Sequence, residues 1–183
     1  MIIGLTGRIA AGKGVIKDFL LTKGFYYYTV SQIIREEAAR LGIPIKRKEL
    51  QDLGNAIRNK EGGGAWMKRI IEKMDKKEKY VIDGIRNGGE IEELKKLGNF
   101  VLISVDAPQE LRFERVLKRD KDSDPKDWKG FLEMDNRDFE EEDPLGQQVG
   151  KCMEMANFSL VNDSTFEDFE MKIKEVCDEI KCY

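Results

Sequence analysis

Between an apolar run, Ile2–Thr6, and an amphipathic stretch, Val15–Leu21, lies the octapeptide Gly7-Arg8-Ile9-Ala10-Ala11-Gly12-Lys13-Gly14. No other feature restricts the fold of this chain so strongly. The first run has the length and residue types of a strand, and the second repeats its apolar residues at helical spacing. The glycine-rich segment therefore joins a strand to a helix. Its glycines let the backbone curl until successive N–H groups point inward, and the following helix adds the positive end of its dipole. Such a cradle holds phosphate oxygens, and Lys13 brings a mobile positive charge to the same place. The spacing G-x-x-x-x-G-K in a strand–turn–helix context is the Walker A pattern, which predicts a bound nucleoside triphosphate with magnesium. Gly7, Arg8, Ala10, Ala11, Gly12, Lys13, Gly14 and Val15 are the expected phosphate-loop contacts. One position departs from the pattern. The residue after the lysine is Gly14, where a hydroxyl ordinarily touches Mg²⁺, and Val15 cannot replace it.

Further strand-like runs, Phe25–Thr29, Tyr80–Ile82, Phe100–Val105 and Phe158–Val161, alternate with helix-period segments at Ser31–Leu41, Glu49–Asn59, Ala65–Met74, Gly89–Leu97, Glu110–Lys118 and Thr165–Ile180. Strands alternating with helices indicate βαβ units, hence an α/β fold with a parallel sheet of five strands covered on both faces. Ser31 is the expected cap of one helix, and Pro108 with Glu110 opens another. At 183 residues the chain suits one domain. The irregular region is Arg119–Gly146, with turn residues at Asp124-Pro125, Pro144 and Gly146. It reads as an exposed insertion rather than sheet scaffold.

Composition narrows the chemistry. With no histidine, Ser-His and Cys-His catalysis are excluded and a zinc site lacks its usual partners. Cys152, Cys177 and Cys182 have no CxxC spacing and read as reduced thiols of a cytoplasmic protein. Between Asp120 and Asp143 stand eleven acidic and four basic residues, so the net charge of −3 hides a mildly basic remainder suited to phosphate-bearing ligands. Basic residues are not clustered among aromatics, so no nucleic acid is expected as partner. No apolar run approaches a membrane span, and the N-terminal segment reads as a core strand rather than an export signal. The expected assembly is a monomer or small homo-oligomer.

Several motifs resemble P-loop nucleoside monophosphate kinases. Tyr80-Val81-Ile82-Asp83-Gly84-Ile85-Arg86 is similar to their D-G-[FY]-P-R signature without the proline, and G-K-G occurs in adenylate kinases. Ser31-Gln32-Ile33-Ile34-Arg35-Glu36-Glu37 resembles the adenylate-kinase segment whose arginine grips the acceptor phosphate. Val105-Asp106-Ala107-Pro108, followed by Arg112, Arg115 and Arg119 on one helix face, is similar to the stretch of adenylate kinases and dephospho-CoA kinases that leads into a lid. Asn162-Asp163-Ser164-Thr165 resembles their adenine-contacting loop. Leu50–Asn55 with Arg58 and Trp66 is similar to the acceptor region of viral-type deoxynucleoside monophosphate kinases, although Trp66 suits a core equally well. Over its length the chain looks like adenylate-kinase-related proteins with I-R-E-E and D-G-I-R motifs.

The resemblance implies a three-layer P-loop fold with a helical acceptor region at about 31–75 and a small lid at about 119–146, and phosphoryl transfer from ATP to a (deoxy)nucleoside monophosphate. Lys13 and the loop amides would hold ATP, and Asp83 would order Mg²⁺ through water. Arg35, Arg58, Asp83 and Arg86 would place the acceptor. Arg115, Arg119, Arg137 and Asp163 would contact ATP, with Arg86, Arg119 and Arg137 spreading transition-state charge. A dephospho-CoA-kinase-like enzyme would want an acid after the second strand, where Thr29-Val30-Ser31 stands. A nucleotide-sensing module with little turnover stays open because of Gly14. A GTPase switch lacks the N-K-x-D signature.

Overall fold

A computed structural model describes residues 1–75, 78–119, 124–139 and 143–183. Five parallel strands, β1 (Ile2–Gly7), β2 (Tyr26–Thr29), β3 (Tyr80–Asp83), β4 (Phe100–Asp106) and β5 (Phe158–Val161), form one sheet in the order β2-β3-β1-β4-β5. The first strand is thus the central one. It pairs with β3 in the register Ile2↔Tyr80 to Leu5↔Asp83, and with β4 from Ile2↔Phe100 to Gly7↔Val105. Strand side chains alternate between faces, so Ile3, Leu5, Val81, Ile103 and Val105 enter one core while Ile2, Tyr80, Ile82 and Leu102 enter the other. Both faces are covered, which is why these strands read as continuous apolar runs.

The first face is covered by α1 (Lys13–Thr22), through Ile16 and Leu20, and by α9 (Phe166–Ile180), through Phe169, Ile173 and Val176. Fully burying each such side chain contributes about 1.5–3 kcal/mol. The second face is covered by α2 (Val30–Arg40), α4 (Ala65–Ile71), α5 (Gly88–Lys95) and α8 (Val149–Glu154). Here α3 (Arg47–Glu61) packs outside, contributing Leu53. After β4 come α6 (Gln109–Arg119) and α7 (Trp128–Phe139).

Three expectations change. The cap of α2 is Thr29, whose hydroxyl accepts from the Ser31 N–H at 3.3 Å, because the helix starts at Val30 and Ser31 already lies inside it. Trp66 is core rather than acceptor wall: it is fully buried and donates its indole N–H to the Gly54 carbonyl at 3.1 Å. The region 119–146 is not only exposed turns. It contains α7, which buries Phe131 and Asp135. The rest of that lid expectation, residues 120–123 and 140–142, lies outside the described residues.

Candidate active site

The octapeptide follows the C-terminal end of the central strand, where neighbouring strands open a crevice in parallel α/β sheets. Gly7 has φ of 126° and Gly12 of 120°, and a Cβ on Gly7 would lie 2.0 Å from the Val105 carbonyl oxygen. Only glycine permits β1 to turn this close to β4. Ala10 is also left-handed, with φ of 57°, a conformation non-glycine residues rarely adopt. The loop is held from outside. Asn162, just after β5, donates from Nδ2 to the Ala11 carbonyl at 3.0 Å. Arg115 of α6 donates to the Asn162 Oδ1 at 3.1 Å and reaches the Ala10 and Ala11 carbonyls at 3.5 and 3.4 Å.

Lys13, the first residue of α1, folds back over the loop and donates from Nζ to the Gly7 and Arg8 carbonyls, both at 2.8 Å. Burial of its ammonium lowers the pKa from 10.5 to about 8. The Asp83 carboxylate opposes that fall, while Arg86, Arg119 and Arg112 reinforce it. Several cations thus act on one ammonium, an arrangement that favours a multiply charged anion. Asp83 ends β3 beside this lysine; its Oδ1 accepts the Gly84 N–H at 2.6 Å and its Oδ2 the Tyr27 hydroxyl at 3.4 Å. Burial first, then the neighbouring carboxylate, push the Tyr27 phenol up to about 12, so it remains a donor to Asp83.

Three side chains of α7, spaced i, i+3 and i+4, are set against this loop. Asp135, almost fully buried, accepts a two-pronged bond from Arg112 at 2.7 and 3.0 Å and a third from Arg8 at 2.8 Å. The Phe139 ring lies 3.6 Å from the Arg8 guanidinium carbon, and Asp138 accepts from Arg86 at 3.2 Å. Gly7, Arg8, Lys13, Arg86, Asp135, Asp138 and Phe139 line one cleft.

The structure therefore gathers Arg8, Lys13, Asp83, Arg86 and Arg115 around the loop, with the charge of Arg119 also reaching Lys13, and gives the remaining candidates other partners. Arg119 bonds Asp124, Arg137 pairs with Asp138, and exposed Arg35 folds back onto its own Ser31 hydroxyl at 2.5 Å. Arg58 is buried and bonds the Leu145 carbonyl at 2.8 Å, which makes it a strap between α3 and the segment before α8. Asp163 is exposed on Lys172, and its neighbour Asn162 contacts the loop instead. Asp135, Arg112 as its partner, and Phe139 escaped the sequence reading. The signal was Trp128, Phe131, Asp135 and Phe139 recurring at helical spacing inside an acidic stretch.

A glycine cradle between the central strand and the first helix of a 2-3-1-4-5 parallel sheet defines a P-loop protein of the kinase-like type. The family model described as an AAA domain matches residues 3–144, more than half of the sequence. The chain belongs to that family and to the UPF0200 proteins. It is 38% identical over 98% of its length to a UPF0200 protein of Sulfurisphaera tokodaii, of which it covers 97%. It is 31% identical, with the same two coverages, to one of Pyrococcus horikoshii. Among solved structures, the shikimate kinase of Bacteroides thetaiotaomicron aligns over 99% of this chain and 98% of its own with a TM-score of 0.61. At 11% identity this shows the fold alone. No helix among the described residues is long and apolar enough to cross a membrane.

Proposed function

We propose that the protein is an ATP- and Mg²⁺-dependent phosphotransferase whose acceptor is a small nucleotide, a nucleoside or deoxynucleoside monophosphate above others. The observation that carries this reading is the meeting of Lys13, Asp83 and Arg86 at the ends of adjacent strands, against a loop whose glycines alone allow its curl. Phosphoryl transfer needs positioning and charge neutralisation more than covalent chemistry. The loop amides and Lys13 would hold the β- and γ-phosphates. Arg86, exchanging its bond to Asp138 for a phosphate oxygen, would align an acceptor. Arg115, already on the loop, would steady its curl.

The donor set suits magnesium held mostly through water. Asp83 offers one carboxylate with unused lone pairs, and Gly14 offers no hydroxyl, so the ion would take its remaining oxygens from water and the nucleotide. Magnesium there would supply charge neutralisation of the phosphates. Arg35, Arg119, Arg137 and Asp163 would serve only after leaving their present partners, as closure of a lid over 119–146 would require.

The test is ADP release from ATP across a panel of ribo- and deoxynucleoside monophosphates and dephospho-CoA. At least one nucleoside monophosphate should raise ADP release well above the acceptor-free rate, and Lys13→Ala should lower that rate by orders of magnitude without unfolding the protein. Stimulation by dephospho-CoA alone moves the acceptor to a ribose hydroxyl. ATP binding with no stimulation by any acceptor selects a nucleotide sensor, the reading that the missing Gly14 hydroxyl favours.

A further inference from the structure

The end of α9 brings two thiols together. Lys181 takes the left-handed conformation with φ of 55°, its N–H donating to the Asp178 carbonyl at 3.3 Å, while the Cys182 N–H donates to the Cys177 carbonyl at 3.1 Å. Paired bonds of this kind form a Schellman motif, in which the side chains at the motif's two ends meet across the turn. Those positions are ordinarily apolar; here both are cysteine. Cys177 and Cys182 are 1% and 0% exposed and share the core with Phe169, Ile173 and Val176. A 3.1 Å bond between the two residues' own backbones keeps their Cα atoms within bridging range. Cys152 lies in the other core, across the sheet.

We propose that Cys177 and Cys182 are a reversible dithiol–disulfide site, whose oxidation by a small-molecule disulfide locks the turn after α9. Because α9 follows β5 and runs back along the sheet, this turn sits at the edge opposite the phosphate loop, beside Lys23 at the end of α1. Local opening of the turn brings the buried Cys182 thiol to the reagent; it loses its proton and attacks one sulfur, and the reagent's S–S bond breaks. Cys177 then loses its proton and attacks the Cys182 sulfur, forming the intrachain bond and expelling the reagent's second half. Both protons end on the two reagent thiols; the protein is oxidised by two electrons and the reagent is reduced. Burial first, then the neighbouring Cys182 thiol, push the Cys177 thiol up, which makes the closing step faster in alkaline buffer. The charged and titratable groups facing the pair are Asp178, Lys23 and Tyr183.

The experiment incubates the folded chain with glutathione disulfide and reads intact mass, peptide map and melting temperature. The expected product is lighter by two hydrogens, maps to a Cys177–Cys182 bond, returns to the starting mass with dithiothreitol, and melts roughly 5 °C higher, as a closed loop of this size implies. Cys152→Ser should behave like the parent, and both Cys182→Ala and Cys182→Ser should abolish the mass loss. A lasting glutathione adduct, a bond that includes Cys152, an unchanged mass, or an oxidised form melting no higher than the reduced one each overturns the proposal. Mass and melting are independent of turnover, so this result stands apart from that of the kinase assay.

Discussion

Asp135→Asn should unfold this protein at markedly lower temperature, although the change removes only a charge. Asp135 and Arg112 are 2% and 3% exposed at their side chains, and the single carboxylate serves both Arg112 and Arg8. Asparagine keeps the shape and one acceptor oxygen, so no cavity opens. The Arg112 guanidinium keeps as counter-charge only the Asp106 carboxylate, 3.7 Å away and 40% exposed, and breaking a buried pair from one side costs about 3–5 kcal/mol. The retained oxygen places Asn at the lower end, about 3 kcal/mol. For a chain of this size each kcal/mol lowers the melting temperature by about 2–4 °C, so a fall of roughly 6–12 °C is expected. Asp138→Asn is the internal comparison. Its partner Arg86 is half-exposed, and such pairs contribute about 1 kcal/mol or less. Thermal unfolding of parent and both variants, followed by circular dichroism, decides the matter. If Asp135→Asn melts with Asp138→Asn, the buried carboxylate is not what fastens α7 to the phosphate loop.

Lys13 gives a pH signature. With its pKa lowered to about 8 in the folded chain and 10.5 as reference, the unfolded chain binds the extra proton between those values, so stability should climb with pH across that window. Lys13→Met should lose the climb; parallel curves for parent and variant in denaturant titrations would remove the buried-ammonium reading. A Cβ on Gly14 meets nothing within 4 Å, so Gly14→Ser should be tolerated, stabilise α1 by up to about 0.5 kcal/mol, and leave or lower the magnesium requirement of ADP release. Asp83→Asn should raise that requirement steeply, and an unchanged magnesium titration would take Asp83 out of the metal site. Arg86→Ala should weaken acceptor use far more than ATP binding, and the reverse pattern would exchange the two sites.

The strands were legible because a sheet covered on both faces demands uninterrupted apolar runs. Phe158–Val161 coincides with β5, and the other four runs differ from their strands by one residue at an end. The loop was legible because its backbone conformation restricts residue type directly, as the clash of a Cβ at Gly7 with Val105 shows. What stayed hidden depends on distant partners. Asp135 looks like one acid among eleven until Arg8 and Arg112 arrive from segments 127 and 23 positions away. Arg58 resembled an acceptor ligand for the same reason: nothing local announces that Leu145, 87 positions on, claims its guanidinium. The Asn87–Glu90 capping box that opens α5 has all its partners within four residues, yet Asn87 also fastens the Pro144 and Gly146 carbonyls.

The Asn162–Ala11 bond bears on the order in which the molecule can be completed. It spans 151 positions, and among the described residues β1 itself pairs only with strands beginning at Tyr80 and Phe100. A chain made from its N-terminus has the octapeptide outside the ribosome long before either neighbouring strand exists, and Asn162 follows later still. Non-local closures of this kind slow folding, because their chain entropy is lost before the contacts form. The glycine loop is thus synthesised well before the segments that give it its final shape.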